Sequence, residues 1–165
     1  MGTRNIPHTL LPDLRWSCST FAALSSQTLY DILHLRQNVF VIEQRCLYPD
    51  IDGLDPDCLH LTGYSDGTLA GYLRLVPPGL RYDTAAIGRV VVAPASRGMQ
   101  MGDAMMQEGI QLSLQRWPGA GISLSAQAPL EAWYESLGFQ GEGDLYDEDG
   151  IPHRRMRYVS TAAVM

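Results

Sequence analysis

The stretch Ile87-Gly88-Arg89-Val90-Val91-Val92-Ala93-Pro94-Ala95-Ser96-Arg97-Gly98-Met99-Gln100-Met101-Gly102-Asp103-Ala104-Met105-Met106 decides how this chain folds. The β-branched run Val90, Val91, Val92 predicts a buried strand, Pro94 ends it, and an amphipathic segment opens at Gly102. Strand, small-residue loop and helix in that order aim backbone N–H groups at one point in front of the helix's positive end, where an anion such as a diphosphate is held. The loop has neither the Lys-Ser/Thr pair of a Walker loop nor the three-glycine turn of a dinucleotide-binding unit, so a nucleotide with a different arm is implied. Taken without its flanks, residues 97–102 would be a plain polar loop; the strand before and the helix after favour the anion site.

Outward from this unit, Asp66-Gly67 between two apolar segments, residues 59–64 and 68–76, is a strong hairpin signal. Ser25-Ser26 offers an N-cap, followed at helical spacing by Leu29, Ile32, Leu33, Arg36, Val39 and Phe40. A first strand is expected over residues 14–20, and residues 1–12, with Pro7 and Pro12, form an N-terminal extension. Downstream, the helix from Gly102 ends at Trp117-Pro118-Gly119 and a short strand follows over residues 122–126. Pro129 then starts a second helix that Gly138 ends, and a hairpin about Glu148-Asp149-Gly150 closes the chain, with residues 153–159 as its last strand. This alternation predicts an α/β architecture, a mixed sheet with helices on both faces, in a single domain over residues 13–160.

The chain has 165 residues, enough for one ordinary core. Its 12 Lys and Arg against 18 Asp and Glu give a net charge of −6, which argues against a nucleic-acid surface and suits a cationic small substrate. Cys18, Cys46 and Cys58 stand too far apart for a zinc cluster or a disulfide framework. With no apolar leader and no membrane-length run, a cytoplasmic protein off the membrane is expected. Asp50, Asp52, Asp55 and Asp57 lack the closing Glu of a calcium loop, so no metal is expected.

Arg97 and Gly102, with Gln100 at the usual middle glycine, resemble the coenzyme A loop of the GNAT superfamily of N-acetyltransferases. The segment Trp133-Tyr134-Glu135-Ser136-Leu137-Gly138-Phe139 resembles that superfamily's late helix and its Gly-Phe ending. Residues 35–44, Tyr48-Pro49-Asp50-Ile51-Asp52-Gly53, His60, Gly88-Arg89-Val90, Ala126-Gln127-Ala128 and residues 148–153 are similar to its ElaA-like branch. The resemblance covers about residues 13–159. It implies the GNAT fold, a central, mostly antiparallel twisted sheet, and transfer of acetyl from acetyl-CoA, bound as a co-substrate, directly to a primary amine of a small molecule or peptide. A homodimer is compatible with it but not required.

The resemblance further implies that the main chain of Val90, Val91 and Val92 holds the pantetheine arm, and that Arg97, Gly98, Met99, Gln100, Met101 and Gly102 hold the diphosphate. It maps Tyr134 onto the residue that protonates the departing thiolate, a step general acids accelerate by about 10² to 10⁴. An acceptor amine of pKa about 10.4 must first lose a proton, at a cost of about 4 kcal/mol near neutral pH. Glu43, Asp52 and His60 are placed by the resemblance near the acceptor; His60 is either a base acting through a water or a satisfied structural group. Arg36, Arg89 and Gln127 are polar residues in segments that look buried. They are substrate-binding candidates, with two readings open: a structural ion pair to Glu43 or Asp52, or a clamp for a substrate carboxylate by Arg89.

Two other functions fit the same residues. Arg36, Phe40, Glu43, Asp52 and Asp55 also resemble acyl-homoserine-lactone synthases, which use S-adenosylmethionine. Gln100 and Asp103, the latter an anion beside the expected diphosphate, fit a non-catalytic coenzyme A-binding module.

Overall fold

A computed structural model describes residues 11–159. The expected extension over residues 1–12 lies outside the described residues but for Leu11 and Pro12, as does Ser160 at the other boundary. The described residues form a seven-stranded sheet of β1 (Arg15–Thr20), β2 (Leu59–Ser65), β3 (Thr68–Val76), β4 (Ala85–Val92), β5 (Ile122–Gln127), β6 (Phe139–Glu148) and β7 (Ile151–Tyr158), in the order β1-β2-β3-β4-β5-β7-β6. Three helices accompany it: α1 (Ser26–Arg36), α2 (Met101–Arg116) and α3 (Glu131–Ser136).

The β2–β3 hairpin forms where expected because Asp66 (φ 48°) and Gly67 (φ 77°) both take the left-handed conformation of a two-residue turn, which matches the twist of the flanking strands. Asp149 (φ 53°) and Gly150 (φ 80°) repeat the device between β6 and β7, and β7 begins two residues earlier than expected, at Ile151. Ser25 caps α1 through its Oγ, which accepts from the Thr28 N–H at 3.0 Å.

The helical spacing through Phe40 changes character at Gln37: residues Gln37–Glu43 form a π-helical turn in which the Gln44 N–H donates to the Val39 carbonyl, five residues back, at 2.9 Å. Wider turns of this kind recur at functional sites. Here the turn carries Phe40 toward the core and ends with Glu43 at the surface.

The two faces of β3 have different partners. Tyr72 packs with Ile32, Leu35 and Val39 of α1 and its π turn. Leu73 and Leu75 pack with Met105, Met106 and Ile110 of α2 on the other face. Helices therefore cover both faces, and truncating a fully buried side chain such as Met105 to Ala is expected to cost about 2–5 kcal/mol.

The feature that positions the site is a split in the sheet. β4 and β5 are the one parallel pair among the described residues, and they pair only at Ala85↔Ile122 and Ala86↔Ser123. Beyond Ala86, β4 carries one extra residue between its pairs Val91↔Tyr72 and Gly88↔Arg74, and Arg89 there has φ 53°. A β-bulge bends its strand and increases the local twist. β4 diverges from β5 over this stretch and opens a wedge toward the C-terminal ends of both strands.

Candidate active site

The loop between β4 and α2 is built from two left-handed residues, Gly98 (φ 80°) and Gln100 (φ 55°). Gln100 stands where glycine is usual in the resembled loop and still adopts the backbone that glycine would supply, at a cost of about 1–2 kcal/mol for a residue with a Cβ. The first intrahelical bond runs from the Ala104 N–H to the Gln100 carbonyl at 3.1 Å. The N–H groups of Met101, Gly102 and Asp103 precede it, at the positive end of a 16-residue helix.

A recess of about 290 Å³ lies here, lined among others by Arg97, Gly98, Gln100, Gly102 and Trp133. Gly102 is needed for this shape: a Cβ would sit 3.2 Å from the Trp133 ring. The Asp103 carboxylate accepts from Trp133 Nε1 at 2.5 Å, a bond that links the first turn of α2 to α3. Met99 is exposed, whereas the Met101 side chain is buried with Leu11 and Ala70, which leaves only its main chain for a ligand.

Tyr134, the next residue after Trp133, lines a larger cleft of about 800 Å³ in the wedge. Its phenol is buried, which pushes its pKa up to about 12, and no described residue hydrogen-bonds its hydroxyl. Val90 lines this cleft and Val92 the recess, so β4 runs from one to the other. The Val91 side chain faces the opposite way, into the α1 core.

One wall of the cleft is held by a charge lattice. Arg36, fully buried, donates to Asp50 at 2.8 Å and to Asp55 at 2.9 Å. Arg74, also fully buried, donates to Asp52 at 2.5 Å and to Asp55 at 3.0 Å. Arg89 pairs with Asp50 at 2.8 Å and Asp52 at 3.3 Å, its guanidinium 5.6 Å from the Tyr48 ring centre. Each arginine bridges two aspartates, so the acidic loop after the π turn is fastened to β3 and β4. Burial works to raise Asp52, but hydrogen bonds from Arg74 and Leu54 and the charge of Arg89 hold it well below the usual carboxylate range.

Several expected roles are corrected by these positions. Arg36 cannot touch a substrate, because it is sealed inside the lattice. Arg89 and Asp52 do line the cleft, but as members of ion pairs, and the ion-pair reading replaces the carboxylate clamp. Arg89 pairs with Asp50 and Asp52, and Asp52 with Arg74 as well, none of them with Glu43. His60 is buried, its Nε2 donating to the Asp55 carbonyl at 2.9 Å and its Nδ1 accepting from the Tyr72 hydroxyl at 2.7 Å. Burial lowers its pKa, and with both nitrogens committed it is a structural group rather than a base. Glu43 faces the anion loop instead of the acceptor side: Arg97 donates to it through both terminal nitrogens, at 2.6 and 3.1 Å, and holds its carboxyl below its ordinary range. Gln127 lies on the cleft wall.

The opposite wall carries residues to which the sequence assigned no role. Ser125 of β5 donates to Glu148 Oε2 at 2.8 Å and is hydrogen-bonded to the Tyr146 hydroxyl. Arg81 donates to Glu148 Oε1 at 2.9 Å. His153 of β7 places Nε2 3.4 Å from Glu148 Oε2, and its ring stacks on Tyr146. Ser125, Glu148 and His153 all line the cleft. The visible signal was an alternating polar position in β5 and a Glu and a His facing each other across the final turn, but bringing them together requires the β5–β7–β6 order.

Comparison with known proteins bears on this arrangement. The Acetyltransferase (GNAT) family matches residues 26–139. The UPF0039 protein sll0451 of Synechocystis is 42% identical, covering 87% of this chain and 94% of its own. Protein ElaA of Escherichia coli is 38% identical over 85% of this chain and 93% of its own, and its crystal structure superposes with a TM-score of 0.83. The crystal structure of an acyl-CoA N-acyltransferase from Pseudomonas aeruginosa is 42% identical, with a TM-score of 0.84 over 88% of this chain and 99% of that one.

Proposed function

The chain belongs to the acetyltransferase (GNAT) family, and from that premise we propose that it transfers an acetyl group from acetyl-CoA directly to the primary amine of a small molecule or peptide. The observation that carries this reading is that the two cavities lie along the same two elements. Trp133 lines the recess in front of α2, its neighbour Tyr134 lines the cleft, and β4 borders both.

The residues fit acetyl-CoA. The three leading N–H groups of α2 and the left-handed backbone of Gly98 and Gln100 suit a diphosphate, while Asp103, the anion that would oppose one, is turned onto Trp133. Arg97, now paired with Glu43, adds a cation at the mouth. The exposed main chain of the diverging β4 suits the amide-bearing pantetheine arm. When bound, acetyl-CoA supplies the thioester that is attacked. Tyr134, a neutral phenol whose hydroxyl has no described protein partner, is available to give its proton to the leaving thiolate.

Two observations favour acetyl transfer over the rival readings. The residues shared with lactone synthases are largely used up by the lattice, since Arg36, Asp52 and Asp55 bind one another or Arg74. The departures that suggested an inactive module are accommodated, because Gln100 keeps the left-handed backbone and Asp103 points to α3. We assign the enzyme to the cytoplasm as a single domain over residues 13–160, a homodimer being compatible but not required. Among the described residues no helix is long and apolar enough to cross a membrane. The test is thiol release from acetyl-CoA across a panel of primary amines: amine-dependent release supports the reading, and binding without release on every amine supports the inactive module instead.

A further inference from the structure

The cluster of Ser125, Tyr146, Glu148, His153 and Arg81 lies across the cleft from the charge lattice, and its hydrogen bonds leave two acceptor atoms exposed to each other. The Ile151 carbonyl, 2.8 Å from His153 Nδ1, can only accept, so Nδ1 carries the ring proton of the neutral imidazole and Nε2 carries a lone pair. That lone pair faces Glu148 Oε2 at 3.4 Å. Arg81 and Ser125 fill two of the four acceptor sites of the Glu148 carboxylate, and Tyr146 holds Ser125 in place as donor. With the ring neutral these are two acceptors side by side in a cleft, and a cationic N–H donor from a ligand satisfies both, as a proton on Nε2 itself would.

The rest of the cleft restricts what carries that cation. Leu80, Leu124, Leu130 and Ile151 line it near this cluster, while the guanidinium groups of Arg81 and Arg89 are already paired with carboxylates. No arginine on these walls is left over for a substrate carboxylate, and the remaining surface mixes these aliphatic side chains with Gln44, Gln127 and Asp149.

We infer that His153 Nε2 and Glu148 Oε2 together receive the ammonium group of the acceptor primary amine, and that His153 takes its proton. This rests on the acetyl-transfer reading above for the reaction that follows. One ammonium proton passes to His153 and leaves to solvent. The freed nitrogen lone pair forms the C–N bond to the thioester carbonyl, the C–S bond breaks with its electron pair going to sulfur, and Tyr134 gives its proton to that sulfur while the second nitrogen proton restores the phenol. The charges facing His153 are Glu148 on β6 and, through it, Arg81 from the segment before β4. Tyr146 stacks on the ring, and Asp149 of the turn lies on the same wall.

Histidine-selective NMR of the full chain, with the His153 signal assigned from His153→Gln, tests the site with hexylamine, 1-hexanol, hexanoate and spermidine as probes. Hexylamine should move the His153 signal saturably at constant pH. Hexanol should bind at least about tenfold more weakly than hexylamine or spermidine and hexanoate not at all, and Glu148→Gln should weaken hexylamine by about tenfold or more. An unmoved His153 signal, equal binding of hexanol, or equal affinity in Glu148→Gln overturns the site. His153→Gln should lower thiol release with hexylamine near neutral pH by about tenfold or more, with both proteins melting alike, and the loss should shrink as pH nears the amine's own value of about 10.4, where the amine is already free of its proton; an undiminished rate, a loss that stays constant with pH, or no release overturns the proton-taking role. Calorimetry with acetyl-CoA separates the two readings: hexylamine binding at His153 without acetyl-CoA binding overturns the acetyl-transfer reading and leaves the ammonium site standing.

Discussion

Tyr134 sits in the cleft without a described hydrogen-bond partner, and burial keeps it protonated to about pH 12, so its value to the enzyme is a proton held until sulfur needs it. Tyr134→Phe is expected to lower turnover by about 10² to 10⁴ while acetyl-CoA affinity stays within about twofold, as read by thiol release and calorimetry. At position 100 the left-handed backbone is what the loop requires. Gln100→Gly should therefore keep acetyl-CoA affinity, whereas Gln100→Val, with a branched Cβ at positive φ, should weaken it and lower the melting temperature. Tyr134 and the loop were legible because their spacing is local, seven residues or fewer from a glycine landmark. For His60 and Arg36 the sequence left a structural and a functional reading open, for the opposite reason. A polar side chain in an apolar segment signals burial with a partner, but which partner depends on where a loop some twenty residues away folds back, and Arg74, the other fully buried arginine, went unmarked in the same way.

At the scale of elements, the lattice of Arg36, Arg74, Arg89, Asp50, Asp52 and Asp55 ties the acidic loop to the strand that opens the wedge. Removing one partner leaves a buried charge uncompensated, so Asp55→Ala is expected to cost about 3–5 kcal/mol in denaturant unfolding, more than any surface ion pair here. Asp52 and Asp55 are both held below their ordinary range by arginines. The sign of the linkage follows: their contribution is fully present above the unfolded carboxylate value of about 3.9 and is lost as pH falls through the folded values, so stability measured against pH should drop on the acid side. Asp55→Ala should flatten that drop. The hairpin turns and caps were readable in the sequence because Asp-Gly and Ser-Ser act within four residues. The π turn at Gln37–Glu43 was not, since the same apolar spacing suits an α-helix and its widening is fixed by tertiary contacts.

Across the whole molecule, the order β4-β5-β7-β6 turns a local bulge into a cleft between two walls. One wall is a locked ionic scaffold, the other a polar cluster built from β5, β6 and β7, and the α2 recess opens at the end of β4. The mixed sheet was legible from element order, but the wedge and its polar wall depend on strands that are neighbours in space and not in sequence. Acetyl-CoA at about a hundredfold over its dissociation constant should stabilise the fold by about 2.7 kcal/mol and raise the melting temperature by several degrees. The most direct test of the central claim, that the α2 recess and the β4 wedge together hold one acyl-CoA beside Tyr134, is titration calorimetry with acetyl-CoA on the wild type and on Gly102→Val. Saturable one-to-one binding that is largely lost in Gly102→Val, where the new side chain meets Trp133, is the predicted result. Binding that is undetectable in the wild type, or undiminished in the variant, would contradict it.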